Sequence, residues 1–513
     1  MKHFGAAFLC LLLAVSAGAQ TNPSLEATNV VPNGRLMSLQ DCIAETLKHN
    51  LDVQIHRYNP ALALYNLRAG YGAAYDPAFN VSGTHTFDVQ SGGILEGITL
   101  PNETTKENDF SSELKGSLPF TGLQYDLTAD INKSHFLDFT TNGPVETTES
   151  GGQVGIQLTQ PLLKGAWIDK LRMTILLDKN TLRYDQQDFR KQVIASVTSV
   201  ENAYYELIYA LEFLKVQQEA LDLSQTQLDQ DQQRLTIGTV AQLSVEQDNS
   251  QVAQNQASLI TAQSALETDQ NALKTLITDN YSAWHATDIQ PKETLSAPLV
   301  LFDLQDSWGR GLSERPDLIQ GRLDVEAAGI TLKFDRNQLY PELDLIGSYG
   351  WSGTGPKPVG GYNDSWTQLR QGSAPYYKYG AELTVPLANA SARNVFKSDK
   401  VTWQQKILTL KQLEQSIMVA IDNAVKTAQS DYESVDATRQ ARIYAEAALD
   451  AELKTYAVGK ATTFEVLTYQ NNLTVARGQE IRALANYEES LANLYSQEGS
   501  TLDRLGINIE ATP

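Results

Sequence analysis

The chain has 513 residues and carries 40 Lys and Arg against 61 Asp and Glu, a formal charge of −21. Phosphate binding needs clustered basic residues, so an acidic excess of this size argues against a nucleic-acid partner. Two cysteines, Cys10 and Cys42, are too few for a disulfide scaffold, a zinc-finger cluster or an iron–sulfur site, and past the N-terminus no run of about 18 apolar residues offers a helical membrane span.

The chain opens as an export signal. Lys2 supplies the positive start, Phe8 to Val15 a short apolar core, and Ala17-Gly18-Ala19 an A-x-A cleavage site before Gln20. Residues 1–19 are expected to be removed, and Cys10 with them. No Cys stands at the cleavage point, so no lipid anchor is expected there. Cys42 reads as a small buried helix residue. A first unit is expected over 20–280, in the order helix, strands over about 78–160, then long helices over about 166–236 and 240–279.

The strand region has period two. Phe79, Val81, Phe87 and Val89 alternate with Asn80, Ser82, Thr86 and Asp88. Similar runs follow at Phe110–Leu118, Leu123–Ile131 and Val154–Leu158. Stretches of about ten residues with one apolar and one polar face are the pattern of a transmembrane barrel strand. A sheet with one wet face gives the same pattern, and one run cannot separate the two readings.

The helices have period seven. Val193, Val200, Leu207, Leu214, Leu221, Leu228 and Leu235 follow one another without a miss, and Val245, Val252, Leu259, Leu266 and Leu273 repeat the spacing after a turn at Gly238. Such a period keeps one seam on a partner and imposes a left-handed supercoil. Four residues after each, Val197, Tyr204 and Leu211 give way to Gln218, Gln225 and Gln232, and the return helix has Asn249, Gln256, Gln263 and Gln270. Half-apolar seams of this kind suit helices that each meet two neighbours around a wet interior. No Pro or Gly interrupts the stretch from Gly165 to Gly238, so some 70 residues make a rod of roughly 100 Å.

A linker with Pro291 and Pro298 is expected over 281–303, and then the chain repeats itself. Leu39-Gln40-Asp41 recurs as Leu304-Gln305-Asp306. Gly155 to Leu162 recurs as Gly380 to Leu387, and Arg234 to Gly238 as Thr455 to Gly459. A second unit is expected over 304–505, with a helix, strands over about 342–385, and helices over about 389–457 and 462–505. Residues 506–513 form a tail. Leu343 to Trp351 and Tyr377 to Val385 are its strand runs, and Tyr349, Trp351, Trp366, Tyr376 and Tyr377 suit an interfacial aromatic girdle. Six runs beside an export signal and tube-forming helices favour the barrel.

Catalytic chemistry is absent from the sequence. There is no H-E-x-x-H, G-x-S-x-G, phosphate loop or C-x-x-C. The six His are scattered, and acidic pairs such as Glu488-Glu489 read as solvated helix faces. No enzyme activity, metal or cofactor is expected.

The chain resembles the TolC-like outer-membrane efflux proteins over nearly all of its mature length. The resemblance rests on the duplicated unit, on Leu-Thr-x-Pro-Leu at Leu158–Leu162 and Leu383–Leu387, and on the turns Ile237-Gly238-Thr239 and Val458-Gly459-Lys460. It implies an α+β membrane protein of two tandem repeats, assembled as a homotrimer. The chains would share one β-barrel in outer-membrane lipid, continued by a long periplasmic α-helical coiled-coil barrel. It further implies a passive exit channel working with a periplasmic adaptor (membrane fusion protein) and an inner-membrane pump of RND, ABC or MFS type. The alternative is a periplasmic coiled-coil scaffold or adaptor without a barrel, which accounts for the heptads but not for six amphipathic strand runs.

The resemblance also implies site residues. The two turns would be the periplasmic tips that meet the adaptor, through Ile237, Gly238, Thr239, Val458, Gly459 and Lys460. Glu465 stands where a gate-ring aspartate is usual, Thr468 where a second is common, and Tyr456 matches a tyrosine that holds the closed state. Ala461 replaces a frequent arginine and Ser244 its acidic partner. Without an arginine latch, closure is expected to rest on packing around Tyr456 and Leu243 with polar contacts of Ser244. Pro77 to Pro161 spans 84 positions against 45 for Pro341 to Pro386. The first unit thus holds room for one further hairpin, which predicts six strands per chain and eighteen per trimer, against the family's usual four and twelve.

Overall fold

The computed structural model describes residues 34–509, apart from 93, 96–97, 100, 120, 141–142 and 358. The expected signal over 1–19 and the end of the tail lie outside the described residues. The chain starts with β1 (Arg35–Met37), α1 (Leu39–His49) and α2 (Leu51–Tyr75). Ser38 and Asp41 form a reciprocal capping box at the start of α1, and the Asn50 side chain caps α2 by accepting from Val53 N–H. Then come β2 (Ala78–Gln90), the short hairpin β3 (Ile94–Leu95) and β4 (Ile98–Thr99), β5 (Glu103–Ser117), β6 (Gln124–Thr140) and β7 (Gly143–Pro161). Two long helices follow, α3 (Lys170–Thr236) and α4 (Gln242–Ile277).

The expected linker holds α5 (Tyr281–Trp284) and β8 (Ile289–Pro291), which pairs in parallel with β1. The second half has α6 (Leu304–Glu314), α7 (Pro316–Gln338), β9 (Glu342–Thr354), α8 (Tyr362–Gln371), β10 (Pro375–Thr384), α9 (Ala390–Ala457), α10 (Thr463–Glu498) and α11 (Thr501–Arg504). The halves match in size: α1 and α6 have 11 residues each, α3 and α9 have 67 and 68, and α4 and α10 have 36 each. At 1.5 Å per residue, α3 and α9 are rods of about 100 Å. The pattern that runs as helix to 505 breaks at Gly499. This residue takes φ 77°, and Ser500 N–H returns to the Tyr495 carbonyl, which ends α10 before α11 begins.

Six strands form one antiparallel sheet in the order β10-β9-β7-β6-β5-β2. The expected extra hairpin is therefore part of this sheet, as β5 and β6. Register puts Phe110 opposite Ile131, Leu127 opposite Ile156, and Tyr349 opposite both Ile156 and Tyr377. These residues share one apolar face. The other face carries Glu113, Asp126, Asp130, Gln157, Ser348 and Glu382. Phe79, Val81, Tyr377 and Tyr379 are exposed, at 69%, 67%, 75% and 82%. Among the described residues, neither β2 nor β10 has a partner on its outer side. Strands β5 to β7 run well beyond the alternating stretches, through segments such as Lys133-Ser134-His135 and Thr147 to Ser150 that are polar on both faces. Tyr376 departs from the expected girdle: its hydroxyl lies over Gly155 and Gly350 on the polar face and accepts from Gln153 Nε2 at 2.7 Å.

The main core gathers where β1, β8 and α1 meet α3 and α4, around Cys42, Val53, Val197, Val200, Tyr204, Leu207 and Leu273. Burial pushes the Cys42 thiol up to about 12, which leaves it an inert packing residue. A second core under α6 and α7 joins Leu318 to Ile417, Ile421 and Leu494. Among the described residues, no helix is long and apolar enough to cross a membrane and no cluster of His, Cys, Asp and Glu is arranged to hold a metal.

Candidate gate at the helical tips

Both long helices end in the same turn. Gly238 and Gly459 take φ 76° and 74°, a left-handed conformation that a Cβ would oppose. Gly238 N–H returns to Leu235 O and Thr239 N–H to Arg234 O, both at 2.9 Å. Gly459 N–H returns to Tyr456 O at 3.0 Å and Lys460 N–H to Thr455 O at 3.1 Å. The turns leave Ile237, Leu243, Val458 and Phe464 largely exposed, so the end of the rod is an apolar surface.

One turn above lies a buried polar cluster. Asp231 on α3 is fully buried. Tyr456 Oη on α9 donates to its carboxylate, 2.7 Å from each oxygen, and Thr463 Oγ1 on α10 donates at 3.0 Å. Gln227 Nε2 adds a contact at 3.2 Å and Arg234 Nη1 one at 3.5 Å, and the Arg234 guanidinium stacks 4.7 Å above the Tyr456 ring. Asp231 thus ties the α3–α4 hairpin to the α9–α10 hairpin by charge-assisted hydrogen bonds.

Asp248 on α4 faces Asp231 and is also fully buried, with no donor to either of its oxygens among the described residues. Burial first, then the like charge of Asp231 beside it, push the Asp248 carboxyl up to about 7. A proton on Asp248 would bridge the pair.

The residues singled out in the sequence distribute unevenly around this cluster. Tyr456 is in it. Ser244 is half-buried in the first turn of α4, and the Tyr456 hydroxyl points to Asp231 instead. Leu243 is 67% exposed. Glu465 is exposed and caps α10, accepting from Thr462 N–H at 2.8 Å; these hydrogen bonds hold its carboxyl below the usual glutamate range. Thr468 is exposed and donates from Oγ1 to Phe464 O of its own helix at 2.8 Å.

Asp231, Asp248, Arg234 and Thr463 were not singled out by the sequence. A signal existed. Towards the tip, the buried second seam lies three residues after the heptad positions, at Gln217, Ser224 and Asp231, whereas Gln218, Gln225 and Gln232, four residues after, are exposed. Asp231 and Asp248 each stand three after a seam residue, Leu228 and Val245, both buried.

Comparison with known proteins extends this picture. The family described as "Outer membrane efflux protein" matches residues 124–278 and 309–500. The outer membrane protein TolC of Escherichia coli is 24% identical over 352 residues, covering 67% of this chain and 69% of that protein. Among solved structures, the CmeC outer membrane channel of Campylobacter jejuni superposes with a TM-score of 0.64 at 14% identity, covering 90% of this chain and 86% of CmeC. The outer membrane protein VceC of Vibrio cholerae gives 0.65 at 17% identity, covering 90% and 96%.

Proposed function

Because the chain belongs to the outer membrane efflux protein family, we propose that it is the exit duct of a tripartite efflux or type I secretion system, passively conducting what an inner-membrane pump and a periplasmic adaptor deliver. It is an outer-membrane protein with a periplasmic extension. The observation that carries the finer reading is the six-stranded sheet with two open edges and an exposed apolar face, set on helices of 67 and 68 residues. Unpaired backbone cannot be satisfied in lipid. Six strands are too few to close around an aqueous lumen. A homotrimer pairing β10 of each chain with β2 of the next removes every edge and gives an eighteen-stranded wall. The matched lengths of the two halves support two tandem repeats. A coiled-coil scaffold would have no use for the apolar face.

In this reading the four exposed apolar side chains at the turns, flanked by Thr239 and Lys460, dock the adaptor. The Tyr456–Asp231 link holds the tips together, and Glu465 lines the entrance. The test is the detergent-solubilised protein: a mass of three chains carrying one pore is expected. An ion-conducting monomer, or a wall of four strands per chain, would overturn the proposal.

A further inference from the structure

Helix α8 sits in the connection between β9 and β10. Leu369 packs on Gly152 and Gly353: a Cβ on Gly152 would come within 2.8 Å of Leu369, and one on Gly353 within 2.4 Å of the Ser365 carbonyl. Ser365 is fully buried, its Oγ 2.6 Å from that of Ser150, and Ser150 Oγ donates to Gly361 O at 2.8 Å. Gln368 Oε1 accepts from Thr354 N–H at 3.0 Å, and the Tyr362 ring meets Phe110 edge-on at 6.2 Å. The helix is therefore fixed to the sheet.

Register decides which face it occupies. Gly152 pairs with Ile131 and with Gly353, and Phe110 pairs with Ile131. All four belong to the apolar face. The polar face at this level carries Tyr376 instead. So α8 rides on the outside of the wall, not in the lumen. Its height follows from the same register. One step further along the strands, that face has a polar row at Ser150, Lys133, Asn108 and His85, beyond which Phe87 and Val89 on β2 are apolar again, so α8 lies at the first polar row of the apolar face.

The surface of α8 turned away from the sheet holds Asn363, Trp366, Thr367 and Arg370, all exposed, with Trp366 at 57%. Their spacing of three, one and three puts them on one helical stripe. A Trp between polar and cationic neighbours, continuous with an apolar wall, has the composition of the membrane–water boundary.

We propose that α8 is an interfacial foot, placing Trp366 at the acyl–headgroup boundary of the outer leaflet and fixing the depth of the wall. This rests on reading the sheet as the membrane wall. The test uses full-length trimer in phospholipid vesicles carrying nitroxide-labelled lipid. The Trp366 emission is the difference between the parent and Trp366→Phe, and the Trp351 emission that between the parent and Trp351→Phe. Trp366 is expected to be quenched more by a nitroxide near the headgroup than by one at mid-chain, and poorly by aqueous acrylamide. Quenching by acrylamide alone would place α8 in water, and quenching by neither would place it under another chain; both results overturn the proposal. If Trp351 is lipid-quenched while Trp366 is not, the foot fails and the wall stands. If neither is, the wall reading fails as well. A nitroxide on Thr367→Cys, read for oxygen against aqueous nickel accessibility, repeats the test without altering a Trp; Cys42 is buried and does not compete.

Discussion

Replacing Asp248 by Asn tests the buried acid pair directly. In an opened, solvated tip the Asp248 carboxyl titrates near its ordinary 3.8; in the packed tip it titrates at about 7. Between those values the packed tip keeps a proton that the open tip has released. Packing is therefore strongest below about pH 4, weakens as pH rises, and levels off above about pH 7. The difference sets an upper bound of a few kcal/mol on the change in the opening equilibrium, always towards the packed tip at low pH. The neighbours permit this. Asp231 supplies the like charge, Arg234 Nη1 reaches Asp231 Oδ1 at 3.5 Å, and Tyr456 and Thr463 donate to Asp231 rather than to Asp248. The Asn amide is neutral throughout and still donates to Asp231. The expected result, in planar bilayers between pH 4 and 8, is a parent channel whose open probability rises with pH and an Asp248→Asn channel that stays near the acid-side level. A variant with the parent's full pH profile would refute the argument.

Three other outcomes follow from the same tips. Tyr456→Phe removes the donor to both Asp231 oxygens and leaves a buried carboxylate short of partners, a loss of about 1–3 kcal/mol, read as higher open probability in an assembled trimer. Gly459→Ala forces a Cβ into a left-handed turn at a cost of about 1–2 kcal/mol and is expected to weaken adaptor capture without changing the trimer's mass. Three Glu465 side chains drawn to a common axis would attract cations, so Glu465→Gln is expected to lower cation selectivity and block by trivalent metal ions in bilayer recordings; unchanged selectivity would leave Glu465 as the cap of α10 alone.

The helices and the sheet were legible because their signals are periodic and long. Seven seam residues in step and six alternating runs need no knowledge of what they touch. The turn glycines Gly238 and Gly459 act locally, and were legible for the same reason. Asp231 and Asp248 could not be ranked above other helix acids, since a drift of the seam from four to three residues decides their burial, and that drift is set by two neighbouring helices at once. Tyr376 and α8 were hidden for a similar reason. Which face an aromatic takes depends on a register fixed across three strands, and the ten residues of α8 are seated by Gly152, Gly353 and Ser150, distant in sequence.

On the proposed reading, the added hairpin changes the wall without changing the tunnel. Strands β5 and β6 enter the sheet between β2 and β7, yet the long helices keep equal lengths in the two halves, 67 against 68 and 36 against 36. On the proposed trimer, eighteen strands stand over twelve long helices. Barrel diameter grows roughly linearly with strand number, so this wall is about half again as wide as a twelve-stranded one. In that trimer no such widening reaches the tips, where α3, α4, α9 and α10 bring together Asp231, Asp248, Tyr456 and Thr463. A wider mouth on an unaltered tunnel moves the resistance further towards the tips, so conductance is expected to respond to substitutions at Tyr456 and Asp248 and hardly at all to neutral substitutions on the polar face of β5 and β6.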